Sequence, residues 1–159
     1  MAHVSKLTTR YGCWHRANIG SPHFLDVKFA EDAEFHAKIR YTIPLSWCHS
    51  FDPGSSIGEK EGDDNLPVVQ GGLIGSCLDN AMTTACRVAS DGRFQTTLSM
   101  TVEFLRGMRP GYVYAVTRAT MIGGTVGFAD VTMYRDEECT HSVARASSTN
   151  KLRKPAPKL

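Results

Sequence analysis

The chain lacks any organised set of cysteines. Its five, Cys13, Cys48, Cys77, Cys86 and Cys139, are odd in number and scattered, with no C-x-x-C pair. That argues against a disulfide framework or a zinc site and predicts a reducing, cytoplasmic setting. His3, His15, His23, His36, His49 and His141 show no metal-ligand spacing, so they read as ordinary polar residues. Ser90, Ser147 and Ser148 have no G-x-S-x-G context, which argues against a serine-hydrolase triad. The run from Gly123 to Gly127 lacks the lysine and the strand-to-helix setting of a phosphate loop. There is no excess of one charge: 18 Lys+Arg stand against 16 Asp+Glu, a net +2. Four of the positives lie in the acid-free stretch from Lys151 to Leu159, leaving the rest near −2 (2 − 4). A nucleic-acid surface would need a clustered basic face. No run approaches the ~18 apolar residues of a membrane span, and the first residues lack the apolar core of a signal peptide. The expectation is a protein with no metal, no cofactor, and no nucleic-acid or membrane partner.

What is present fits one globular domain. A length of 159 residues, 42% hydrophobic and 21% charged, is ordinary for a chain with a real core. Residues 1–22 are polar and irregular. Phe35, Ala37, Ile39, Tyr41 and Ile43 alternate with His36, Lys38, Arg40 and Thr42, which predicts a half-buried strand. His23 to Phe29 is a candidate partner for it, with Glu31-Asp32 near the turn. Pro44 to Pro67, with its Asp52-Pro53-Gly54 turn signal, reads as a long excursion. From about Gly72 to Ser90, Ile74, Leu78, Ala81, Ala85 and Val88 recur at helical spacing, and Leu73, Cys77, Met82 and Cys86 widen the apolar arc. A helix apolar around most of its girth is central, not superficial. Asp91-Gly92 stops it.

Four strand-like stretches follow: Thr96 to Leu105, Tyr112 to Ile122, Val126 to Arg135 and Thr140 to Thr149. Turn material separates them, and short connections favour antiparallel neighbours. The expectation is α+β: a four-strand meander after the helix, in an antiparallel sheet that wraps around it. The domain is expected over 23–150, followed by a flexible basic tail over 151–159.

The chemistry concentrates on the helix. Gln70-Gly71-Gly72 opens it without a Ser, Thr or Asp cap. The glycines serve either a tight entry turn or the approach of a ligand to bare N–H groups at the positive end of the helix dipole. Asp79 lies away from the apolar face, with Ser76 and Thr83 as helical neighbours. Such a patch is most often a solvated face. On so apolar a helix, however, a carboxylate needs a partner or a role.

The run Val68-Val69-Gln70-Gly71-Gly72-Leu73-Ile74-Gly75-Ser76-Cys77-Leu78-Asp79-Asn80-Ala81-Met82 resembles the central-helix signature of the hotdog thioesterases. It is most similar to the phenylacetate-degradation type, itself related to the 4-hydroxybenzoyl-CoA thioesterases. Thr97 to Arg106, then Pro110-Gly111, is similar to that family's next strand and turn. Gly123-Gly124-Thr125 falls where the family has a Gly-bearing turn. The resemblance covers roughly residues 65–149.

The resemblance implies a hotdog fold, acyl-CoA as substrate, and a homodimer that assembles into a tetramer. It implies Asp79 as the catalytic carboxylate, either base or nucleophile, and Gly71 as the N–H donor to the thioester carbonyl. Thr97 and Thr83 fall at helper hydroxyl positions. Gln70, Gly72 and Asn65 fall at the substrate, and Arg106 and Arg109 flank the turn near the ligand cleft, where they could meet coenzyme A phosphates. Two departures stand out. Gln70 replaces a common His and cannot titrate. Asp64 stands where many members have an amide, with Asn65 beside it. These departures keep open a hotdog module that binds an acyl thioester without cleaving it. A dehydratase would want a His at the helix start, and a plain structural oligomer is the remaining rival.

Overall fold

The computed structural model describes residues 23–29, 35–49 and 67–153; Asn65, Asp64 and most of the Pro44–Pro67 excursion lie outside them. Strand β1 is His23–Phe29 and β2 is Phe35–Ile43. A 3₁₀ turn, Leu45–Trp47, leads into β3, Cys48–His49, which pairs antiparallel with β4, Val68–Val69. The two ends of the excursion are therefore tied together at its base. Helix α1 follows over Gly71–Ala89, then β5 over Gln95–Phe104, β6 over Gly111–Ile122, β7 over Val126–Tyr134 and β8 over Ser142–Leu152.

The large sheet is antiparallel with strand order β1-β2-β6-β7-β8-β5. This corrects the expected four-strand meander. Only β6, β7 and β8 follow one another in space, and β5 pairs with β8 at the far edge. The connection from β5 to β6 must therefore cross three strand spacings, ~14 Å. Leu105 to Pro110 can do so, because six extended residues reach ~20 Å. The crossing is pinned on the way. Leu105 and Arg106 N–H groups donate to Val143 O at 2.9 and 3.1 Å, and Val69 N donates to Met108 O at 2.9 Å. The path thus runs past the residues that lead into α1. The final strand also continues through Lys151 and Leu152, past the expected boundary at 150, and buries Leu152.

The concave face of the sheet holds α1. Ile74, Cys77, Leu78, Ala81, Met82, Ala85 and Cys86 are buried against Ile39 and Tyr41 of β2, Val113 and Ala115 of β6, Val131 and Met133 of β7, and Ala144 of β8. Small side chains on the inner strands let the helix come close. Gly127 shows the limit: a Cβ there would lie 3.3 Å from Cys86 Sγ and 3.1 Å from Ile122 Cδ1. Burial pushes the Cys77 thiol up to about 12 and the Cys86 thiol up to about 11, so both stay protonated at neutral pH and are packing groups, not nucleophiles. No helix among the described residues is long and apolar enough to cross a membrane.

Candidate active site

The start of α1 is capped by a residue that capping rules do not favour. The Gln70 side chain folds back and its Oε1 accepts from Leu73 N at 3.0 Å. Gly72 makes room for this, since a Cβ there would lie 2.8 Å from Gln70 Oε1. Leu73 and Ile74 N–H groups also reach Gln70 O. Helix geometry leaves the Gly71 and Gly72 N–H groups without an intrahelical partner. They point outward at the positive end of the helix dipole. The Phe104 ring stands over Gly71, 3.4 Å from where a Cβ would be.

Further along α1, one stripe escapes the sheet. Gly72 and Ser76 are exposed, and Asp79 and Thr83 are half-buried. Asp79 meets β5 here: Thr97 Oγ1 donates to Asp79 Oδ1 at 2.7 Å, a short, charge-assisted bond. Asn80, the next residue, faces the other way into the core, where it accepts from Tyr41 OH at 2.8 Å. Burial, then the neighbouring Cys77 and Asp79, hold the Tyr41 hydroxyl well above its ordinary range, so it remains a donor. This cross-bond fixes the roll of the helix and hence the direction of Asp79.

A β-bulge between Thr97 and Ser99 makes the contact with Thr97 possible. Thr97 opposes Asn150, on the helix side of the sheet. Beyond the bulge, Met100, Val102 and Phe104 oppose Ser148, Ala146 and Ala144 on that same side. Leu98 is the extra residue, and it inverts the parity of the strand. Without it, Thr97 and the apolar set would lie on opposite faces.

The predicted site residues divide accordingly. Asp79 and Thr97 come together, and Gln70, Gly71 and Gly72 form the helix start. The Thr83 hydroxyl donates instead to the backbone oxygens of Asp79 and Asn80, at 2.8 and 3.1 Å, so it does not bond the carboxylate. The Thr83 carbonyl accepts from Gln95 Nε2, a second tie between α1 and β5. Arg106 is exposed on the crossing connection and donates to Ser142 O at 2.7 Å; Arg109 is half-buried on the same connection. Sequence reasoning missed Asn150, fully buried on β8 with its amide oxygen 3.4 Å from Thr97 Oγ1. A lone Asn among small strand residues was the signal available. Among the described residues, no group of three His, Cys, Asp or Glu side chains could hold a metal ion.

A curved antiparallel sheet around one long helix, with an open polar stripe and a glycine-bearing helix start, defines the hotdog class. Residues 66–140 match the model of the thioesterase superfamily, and the chain has the hotdog fold. No curated protein matches the sequence significantly. Solved structures share the fold at low identity. The E. coli PaaI protein from the phenylacetic acid degradation operon is 16% identical, with 94% of this chain and 90% of that one covered and a TM-score of 0.66. A phenylacetic acid degradation-related protein from Ralstonia eutropha JMP134 is 20% identical over 87% and 89%, with a TM-score of 0.63. Zebrafish thioesterase superfamily member 2 is 14% identical over 83% and 81%, with a TM-score of 0.60.

Proposed function

We propose that the chain hydrolyses acyl-coenzyme A thioesters to the carboxylic acid and free coenzyme A. The observation that carries this is Asp79, half-buried on an open stripe and hydrogen-bonded by Thr97. A carboxylate held by one donor keeps its remaining lone pairs for a water molecule. Acting as base, Asp79 takes a proton from that water as its oxygen attacks the thioester carbonyl. The oxyanion is received by an N–H at a helix start, the role assigned to Gly71. The C–S bond then breaks, and coenzyme A leaves as a thiolate that takes up a proton. Asp79 as nucleophile is the variant with the same residues, in which an anhydride forms first and water cleaves it. Arg106, exposed on the connection from β5 to β6, is the residue we assign to the coenzyme A phosphates.

We propose that two copies share this chemistry. Gly71 and Asp79 are eight residues apart on one helix, ~12 Å along its axis. A carbonyl must find the N–H donor and the attacking group, the carboxylate or the water it holds, each within ~3–3.5 Å. That spacing favours a site in which the two groups come from different chains. The edge strand supports pairing: β5 ends the sheet with Leu98 at 58%, Phe104 at 55% and Met100 at 37% exposure. An uncovered apolar edge is a template for a second strand. In the proposed homodimer, the helix start of one subunit faces the Asp79 of the other.

The test is release of free thiol from a panel of aryl, short-chain and long-chain acyl-CoAs, with the Asp79→Asn protein as control. Turnover of any of them at an enzymic rate, lost in the control, supports the hydrolase. Tight binding of an acyl-CoA with no turnover would leave the non-hydrolysing module in its place.

A further inference from the structure

We infer that Asn150 is a positioning residue for this hydrolysis: its side-chain N–H donates to Thr97 Oγ1 and thereby holds the Thr97 hydrogen on Asp79. The inference rests on the reading of Asp79 as the reacting carboxylate. It starts from a conflict in the hydrogen-bond inventory. Thr97 has one hydroxyl hydrogen, yet its oxygen lies near two acceptors, Asp79 Oδ1 at 2.7 Å and the Asn150 amide oxygen at 3.4 Å. The charged and nearer partner takes the hydrogen. An amide oxygen facing Thr97 would then meet only lone pairs. The same amide has its nitrogen directed at Ser148 Oγ, 2.9 Å away, and at Cys86 Sγ, 3.5 Å away.

The two ends of an amide have the same shape, and the surrounding partners decide which end goes where. Turning the Asn150 amide over gives its oxygen, the Ser148 hydroxyl, the Cys86 thiol and Thr97 Oγ1 each a partner, and leaves one of its two N–H groups over. Its N–H faces Thr97 Oγ1, and its oxygen accepts from the Ser148 hydroxyl and from the Cys86 thiol. That thiol keeps its hydrogen, because burial pushes it up to about 11. The result is a one-way chain from β8 through β5 to the helix: Asn150 to Thr97 to Asp79. Asn150 is fully buried and directly opposite Thr97 in the β5–β8 ladder. In this arrangement the amide at once satisfies its neighbours and removes the freedom of the Thr97 hydroxyl to rotate away from the carboxylate.

The direction of the chain can be seen without any assay. Neutron diffraction from deuterated crystals of the unmutated protein should show deuterium on the amide end facing Thr97, and the Thr97 deuterium pointing at Asp79. An amide oxygen facing Thr97, or a Thr97 deuterium pointing elsewhere, overturns the inference. The kinetic arm uses Asn150→Leu, which keeps the shape and removes the donor. With an acyl-CoA that the unmutated protein turns over, kcat should fall about tenfold, the size of one hydrogen bond felt at the reacting group. KM should stay within about twofold, the signature of an interaction used in turnover and not in binding. In a Thr97→Val background the same change should cost less than about twofold, since the two residues act as one unit. Losses that multiply would mean that Asn150 supports the fold and not Thr97, and would overturn the inference. Should Asn150→Leu not fold, the neutron map alone decides. A protein with the expected map but no hydrolysis of any acyl-CoA would sink the hydrolase reading while the assignment of this hydrogen-bond chain stood.

Discussion

Thr97 reaches Asp79 from a strand whose apolar residues would otherwise turn it away: Oγ1 lies 2.7 Å from Oδ1 because Leu98 is bulged out between Thr97 and Ser99. Strand, bulge and helix therefore meet at one carboxylate, and most of the predictions start from it.

Asp79→Asn keeps size and removes charge. Hydrolysis should fall by ~10²-fold or more, the span for losing an acid–base group. The melting temperature should hardly move, because Asp79 is half-buried and Thr97 Oγ1 can still donate to an amide oxygen. Near-full activity would remove Asp79 from the mechanism. A collapse in stability would make it a structural carboxylate.

Gly71→Pro deletes one N–H at a position where Pro is tolerated in a helix. The Phe104 ring, 3.4 Å from the new Cβ position, is an exposed neighbour on the edge strand. Turnover should drop ~10²–10³-fold if this N–H holds the oxyanion. Mixed with an Asp79→Ala protein, unfolded and refolded in equal amounts, about half the dimers should pair one of each by random association. In each mixed dimer one site carries both lesions and the other carries neither. Activity should recover towards about a quarter of the unmutated level, since half the dimers have half their sites intact. No recovery, with mixed dimers confirmed by mass spectrometry, would place the whole site within one subunit.

Leu98→Lys puts a charge on the open β5 edge, a device by which natural edges avoid pairing. Light scattering should report a shift from dimer to monomer, and activity should fall with it. A variant that remains dimeric and active would move the interface away from β5.

The turn between β7 and β8 carries a pH-sensitive latch. Asp136 accepts from Thr140 N at 2.6 Å, Thr140 Oγ1 at 2.9 Å and His141 N at 2.8 Å. The backbone bond from Thr140, with the Thr140 hydroxyl and His141 adding to it, lowers the carboxyl to about 2. A lowered value in the folded state means stability that is present above the ordinary carboxylate value of 3.8 and lost as pH falls towards about 2. Melting temperature followed across that window should fall less steeply in Asp136→Asn than in the unmutated protein. Identical slopes would show that other carboxylates govern the acid limb.

Much of this molecule follows from local sequence chemistry. The period-2 run from Phe35 to Ile43 is β2 residue for residue, and the apolar girth of Ile74 to Val88 is the buried helix. Both are read from side-chain periodicity, which is fixed by backbone geometry before any partner arrives. Asp79 stood out for the same reason, a charge on a helix too apolar to be exposed. Gln70 as the cap was not legible, because its reach back to Leu73 N depends on the missing side chain of Gly72.

Other features belong to the tertiary structure alone. Adjacent strands in a chain usually pair, so sequence order suggested β5 beside β6. Instead the Leu105–Pro110 connection carries the chain across the sheet end, and β5 becomes an edge beside β8. The alternation of Thr96, Leu98, Met100, Val102 and Phe104 places Thr97 on the face away from the helix. A single extra residue in the ladder reverses that, and no local propensity marks which residue will bulge. Thr97, Asn150 and Asp79 lie far apart in the sequence and share no pattern. They meet because hydrogen-bond register sets which side chains oppose each other, and register is decided by the pairing of whole strands.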